Sequence, residues 1–184
     1  SRALEDVGLT AAVPVKTLEG QDDIVDGDLY YSLTKRLQGE QLKVNSMYEE
    51  DYADKARFVG EILGQLSLAL AKVEAVLEEP NIYESVVNYA IPKIKSKLNM
   101  PEEIFQGYEE EFAGLYATLP KQVIHRDPNP GNMILADGSF GFIDFEMSEK
   151  NVRIFDPCYA ATAILSETFE AGNEEKLQKW VTIF

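Results

Sequence analysis

The chain has 184 residues, 45% of them hydrophobic, with 32 acidic against 17 basic side chains and a formal net charge of −15. That length supports one hydrophobic core, or a core with a small second lobe. The charge excludes nucleic acid and anionic membrane surfaces as partners held by bulk electrostatics, and it favours small cationic molecules.

From the amino end, SRALEDVGL lacks the apolar segment of a signal peptide. Nor does any run of about 18 apolar residues mark a membrane span. Residues 1–40 read as strand-rich. A short strand at Ile24-Val25 meets a hairpin turn at Asp26-Gly27, and a strand follows from Leu29 to Leu37 until Gly39 breaks the pattern. Strands this short make a poor core alone, so they read as part of a larger sheet. From about Glu50 the hydrophobic period changes. Val59, Ile62, Leu63, Leu66, Leu70, Val73 and Leu77 recur at helical spacing and predict a helix over Tyr52–Glu78, ended by Pro80. A second helix carries Val86, Val87, Ala90, Ile91, Ile94 and Leu98, with Pro92 set to kink or split it. A third begins near Pro101, with Glu102 and Glu103 at its positive end and Ile104, Tyr108, Phe112 and Leu115 on its buried face.

Strands follow at Gln122–Ile124, Met133–Leu135 and Gly141–Phe145, the last two joined by an Asp137-Gly138 turn. Asp156-Pro157 reads as a helix start with Asp156 at the cap. That helix is expected to turn Tyr159, Ala160, Ala163, Ile164 and Leu165 inward. Cys158, the single cysteine, reads as a small buried hydrophobe there, and a lone thiol fits a reducing, cytoplasmic setting. Gly172-Asn173 separates a last helix with Leu177, Trp180, Val181 and Phe184, whose apolar final residue reads as a truncated end.

The segment VIHRDPNPGNMILADGSFGFIDFE, Val123 to Glu146, crowds carboxylates and amides between apolar strands. Pro128 and Pro130 stiffen the loop around Asn129. Asn132 stands just before one strand, and Asp144 stands at the end of the strand that returns antiparallel from the Asp137-Gly138 turn. A hairpin of that length is expected to bring Asp127, Asn132 and Asp144 together. Their oxygens suit Mg²⁺, which takes one or two carboxylates and completes its shell with water and phosphate. No Cys/His cluster offers a zinc site. With Asn132 and Asp144 on the metal, Asp127 is free to accept a proton from a hydroxyl, which is the arrangement kinase-type phosphoryl transfer requires. Read singly, each residue is more readily structural than functional: a loop cap, a turn residue and a solvated strand end.

His125-Arg126-Asp127, with Asn132 beyond it and then Ile143-Asp144-Phe145-Glu146, resembles the aminoglycoside phosphotransferase and choline kinase superfamily, a branch of the protein-kinase-like fold. DLYYSLTKRLQGEQL is similar to the last N-lobe strand and hinge of such kinases. The resemblance implies an α+β, protein-kinase-like fold, with partial N-lobe strands and hinge at residues 1–38. Residues 39–184 would form a mainly helical C-lobe holding a short catalytic hairpin. It implies Asp127 as catalytic base and Asn132 and Asp144 as Mg²⁺ ligands facing the nucleotide. Leu37 and Gln38 fall where a hinge offers backbone groups to the adenine of ATP. His125 is implied to be structural, and Asp156 to support the loop.

Many small-molecule members carry Gly where this chain has Arg126, an arginine more typical of protein kinases. The family's phosphate-covering loop and anchor lysine find no match, since Lys16 and Lys35 stand at other places, so the chain reads as a C-lobe with a remnant of the N-lobe. The implied activity is Mg²⁺- and ATP-dependent phosphoryl transfer to a hydroxyl of a small molecule, with an amine-bearing acceptor favoured by the acidic surface. The alternative is a non-catalytic kinase-like module that binds a nucleotide or a partner.

Overall fold

A short helix, α1 (Arg2–Asp6), and a two-residue strand, β1 (Thr10–Ala11), bury Leu4, Leu9 and Ala11 at the start of the chain. The computed structural model describes residues 1–168 and 173–183; Gly172 and Phe184, read above as a break and a helix residue, lie outside the described residues. Strands β2 (Ile24–Asp26) and β3 (Leu29–Tyr31) form the expected hairpin, with Gly27 at φ 61°. Its side chains are exposed on both faces, Ile24, Val25, Leu29, Tyr30 and Tyr31 among them.

The expected single strand to Leu37 is interrupted, because the chain changes partner. β3 ends at Tyr31, and beyond it the carbonyl of Leu33 accepts the Val15 amide at 2.7 Å while the Lys35 amide donates to Val13 at 3.2 Å. Gly39 then takes φ 120°, and a Cβ there would sit 2.2 Å from the Leu135 carbonyl oxygen. Only glycine fits so close to another backbone at that φ. The chain then enters β4 (Glu40–Gln41).

After a 3₁₀ turn at Val44–Tyr48, helix α2 (Tyr52–Leu70) packs Val59, Ile62, Leu63, Leu66, Ala69 and Leu70 into the core. Each large apolar side chain buried this way is worth about 1.5–3 kcal/mol. The helix stops eight residues before the expected Glu78. Tertiary bonds override the apolar period there: the Glu78 carbonyl accepts the Lys150 amide at 2.8 Å, and the Pro80 carbonyl accepts Asn151 Nδ2 at 2.8 Å. Residues 73–80 carry no helix or strand.

Pro92 splits its helix as expected. A widened π-turn at Val86–Ala90 separates α3 (Ile82–Ser85) from α4 (Ile91–Lys95), which absorbs the missing N–H and the bulk of the ring. A second π-turn at Gly107–Glu111 lies between α5 (Glu102–Gln106) and α6 (Phe112–Tyr116). Here the buried face differs from the expected one. Phe105 and Tyr116 are buried, whereas Ile104 and Leu115 are each 54% exposed. Aromatic packing decides this, since Tyr83, Tyr108, Phe112 and Tyr116 stack as one cluster with centroids 4.9–6.4 Å apart.

The remaining elements are β5 (Lys121–Ile124), β6 (Met133–Ala136), β7 (Ser139–Phe142), β8 (Glu149–Val152), α7 (Phe155–Thr168) and α8 (Glu174–Ile183). The main sheet runs β1-β7-β6-β4, with β1 parallel to β7 and the other pairs antiparallel. β5 pairs separately with β8, Ile124 opposite Glu149. One apolar cluster joins α2 to Val123, Met133, Phe142, Ala160 and Ile164. On α7, Ala160 and Ile164 face inward as expected, but Cys158 is exposed and Tyr159 is 37% exposed. Asp156, Ala160 and Ile164 define the inner face, which leaves Cys158 on the outer side and Tyr159 at the edge. No helix among the described residues is long and apolar enough to cross a membrane.

Gly39→Ala is expected to lower the unfolding free energy by at least about 2 kcal/mol, read from urea midpoints. A wild-type midpoint would show that the chain does not cross Leu135 so closely.

Candidate active site

The loop after β5 is fixed from beneath by α7. Asp156, expected as a helix cap, lies inside the first turn, and its carboxylate reaches out of the helix. Oδ2 accepts the His125 amide and Oδ1 the Arg126 amide, each at 2.9 Å. This is the supporting role that the resemblance implied. Burial pushes the Asp156 carboxyl up to about 6, while the two amide bonds pull it down and the charge of Glu149 pushes it further up.

His125 is fully buried. Nδ1 accepts the Asp127 amide at 3.3 Å, and Nε2 lies 3.0 Å from the Ile143 carbonyl. Both contacts suit a neutral ring protonated at Nε2, and burial holds its ionisation below the usual range. With both nitrogens committed, His125 is a strut.

Arg126 adopts φ 71°, left-handed backbone that costs a non-glycine residue about 1–2 kcal/mol. Its guanidinium Nε lies 3.3 Å from Oε2 of Glu149. Glu149 is 5% exposed, and its Oε1 accepts Asn151 Nδ2 at 2.9 Å. Asn151, fully buried, also accepts the Tyr116 hydroxyl at 3.1 Å and donates to Pro80.

The Asp127 carboxylate is held on both oxygens. Asn129 Nδ2 donates to Oδ1 at 2.9 Å, and Asn132 Nδ2 donates to Oδ2 at 3.2 Å and to the Asp127 carbonyl at 2.8 Å. Turning Nδ2 toward Asp127 leaves the Asn132 amide oxygen to another partner. Across the hairpin, Met133 opposes Phe142, and the Ile143 amide donates to the Asn132 carbonyl at 3.1 Å. Asp144 is the next residue, so the hairpin brings it beside Asn132. The strand ends at Phe142, earlier than the expected Phe145, and Asp144 follows at φ 64° with its side chain exposed. An amide oxygen and a carboxylate suit a hard divalent cation. No three of His, Cys, Asp and Glu cluster with ligand geometry among the described residues; an ion resting on Asn132 and Asp144 would draw its other ligands from phosphate and water.

A cleft of about 1060 Å³ opens between the amino-terminal segment and the β6–β7 hairpin, lined by Ala12, Thr34, Lys35, Leu37, Ile143 and Asp144 among others. Leu37 lies flat on the hairpin, its Cδ1 2.8 Å from where a Cβ on Gly141 would stand. Gln38 is exposed and does not line the cleft; Asp127 and Asn132 stand outside its lining as well.

Sequence reasoning missed several supports. Gln41 Nε2 donates to the Gly131 carbonyl at 2.8 Å and ties β4 to the loop. Tyr159 lies near Asp127, and its ionisation is pushed up by burial and then by that carboxylate. Helical spacing carried the signal for Tyr159, which stands three residues past Asp156 on a helix that already meets residues 125 and 126. For Gln41 and Glu149 no local signal existed.

Residues 1–180 match the family described as the phosphotransferase enzyme family. No curated protein matches the chain by sequence. An amicoumacin kinase solved in complex with AMP-PNP and Ca²⁺ aligns at TM-score 0.65 and 16% identity, over 98% of this chain and 57% of that one. The GDP complex of aminoglycoside 2'-phosphotransferase-IIIa aligns at TM-score 0.60 and 14% identity, over 98% of this chain and 70% of that one. A choline/ethanolamine kinase family protein from Mesorhizobium loti aligns at TM-score 0.54 and 18% identity, over 98% of this chain and 57% of that one. The likeness is one of fold: α+β and protein-kinase-like, with a partial N-lobe sheet. The chain spans 57% of the length of the amicoumacin kinase.

Asp156 sets a pH test. Its carboxyl is raised from an ordinary 3.8 to about 6, so the folded chain keeps a proton that the unfolded chain has released between those values. Its contribution to stability is full below about pH 4 and is lost as pH rises through about 6. Asp156→Asn removes that titration. The gap in urea midpoint between wild type and variant is expected to be wider near pH 5 than near pH 7.5, and equal gaps would show that Asp156 does not titrate there.

Proposed function

The chain belongs to the phosphotransferase enzyme family, and from that premise we propose that it transfers the γ-phosphoryl group of ATP to a hydroxyl of a small, amine-bearing molecule. The observation that carries this reading is the Asp127 carboxylate, held on both oxygens by Asn129 and Asn132 beside a strand end that presents Asp144 to the cleft.

In this reading Asp127 is the base. As the acceptor oxygen bonds to phosphorus, its proton passes to an Asp127 carboxylate oxygen and the bond to the departing ADP breaks. The two amide donors fix the carboxylate plane, so the acceptor hydroxyl meets one orientation of base and little ordering remains at the barrier. Asn132 and Asp144 would hold Mg²⁺, which would neutralise charge on the phosphate oxygens. Leu37, on the cleft wall, would face the adenine, whereas Gln38 does not line the cleft. The net charge of −15 favours a cationic acceptor through the field it spreads around the protein.

The test is phosphate transfer from ATP to a panel of hydroxylated amines, with and without Mg²⁺. Asp127→Asn is expected to lower turnover by roughly 10²–10⁴ while leaving Mg·ATP affinity near wild type. Unchanged turnover would remove Asp127 as the base. Mg·ATP binding without transfer to any acceptor would make the chain a nucleotide-binding module instead.

A further inference from the structure

The Arg126–Glu149 pair stands in an unusual place. Arg126 occupies left-handed backbone immediately before Asp127, and three contacts hold it there: its amide on Asp156, its guanidinium on Glu149, and the neighbouring His125 amide on Asp156. Glu149 is rigid. It opens β8 directly opposite Ile124, its side chain is 6% exposed, and its second oxygen is fixed by Asn151. Asn151 is in turn fixed by Pro80 and Tyr116. A carboxylate buried at this depth is costly unless paired, and its partners are Arg126 on one oxygen and the Asn151 amide on the other. The network spans α6, the 78–80 segment, β8 and the loop, and it reaches the site through the one strained residue that aims Asp127.

We infer that Glu149 is a positioning residue: by holding the Arg126 side chain it keeps residue 126 in the left-handed turn that presents Asp127 to the acceptor. The inference rests on the phosphotransferase reading for its kinetic consequence, but not for the clamp itself. Without the pair, residue 126 relaxes toward ordinary right-handed or extended backbone, and the Asp127 carboxylate swings away from its amide donors. Glycine needs no clamp, because it adopts φ near 70° without penalty. Glu149 is therefore required only while residue 126 carries a side chain.

Glu149→Gln keeps the shape and an acceptor for Asn151 but removes the charge facing Arg126. Its kcat is expected to fall roughly tenfold with KM for ATP unchanged, about what release of a left-handed residue is worth. Adding Arg126→Gly to Glu149→Gln is expected to recover most of that loss. Amide exchange is the second readout: residues 124–132 should exchange faster in Glu149→Gln while α2 keeps its wild-type protection. The inference is overturned if turnover and exchange are unchanged, if Arg126→Gly recovers nothing, or if α2 loosens equally, which would reduce Glu149 to a stabiliser of the whole fold. Should the wild-type protein transfer phosphate to no acceptor, the phosphotransferase reading falls, and the exchange comparison alone decides whether Glu149 clamps the loop.

Discussion

The imidazole of His125 receives the Asp127 amide on one nitrogen and meets the Ile143 carbonyl with the other. Asp127 belongs to the loop after β5, and Ile143 belongs to the end of β7, two segments that share no sheet. The ring spans them and so ties Asp127, bonded through its own amide, to Ile143, which Asp144 directly follows. A lysine or arginine could not do this, having no acceptor, and a carboxylate has no proton to donate. Burial keeps the ring neutral, and only the neutral ring offers one donor and one acceptor. The geometry of the site therefore depends on a titratable group whose ionisation burial holds below its ordinary range.

Around that strut, buried polar atoms are matched in pairs. Asp156 takes two consecutive amides, Asp127 takes two side-chain amides, and Glu149 takes one guanidinium and one amide. Each match offsets a desolvation cost that would otherwise exceed the worth of the contact. Arg126 and Asp144, both left-handed, lie in the two segments that His125 joins. Such residues persist only where several contacts over-determine the backbone, and here the contacts come from α7, β8 and the hairpin together.

How much of this was legible in sequence follows from the reach of each interaction. The meeting of Asn132 with Asp144 is encoded within one hairpin, so the turn residues and the strand lengths sufficed to foresee it. The stripe on α2 was equally local, yet Val73 and Leu77 continue the period past the true helix end, because the bonds that stop it come from Lys150 and Asn151, seventy residues away. Asp156 before Pro157 reads as a cap because a cap and a clamp use the same residue in the same place. Only the position of the 125–126 amides separates them. Glu149 looks like any solvated strand end until the Ile124 register is known. The π-turns left no trace except Pro92, and the face of α5 and α6 followed the aromatic partners supplied by Tyr83.

The exposed hairpin of β2 and β3 has a consequence for how the molecule behaves in bulk. Its backbone edges and the side chains of Ile24, Val25, Tyr30 and Tyr31 form a short, open template for strand pairing between molecules. Asp23, Asp26 and Asp28 border or interrupt it and act as gatekeepers by mutual repulsion. That protection is colloidal and not structural. It weakens as salt shortens the Debye length, so strand pairing at this ribbon answers to ionic strength and not to the stability of the fold.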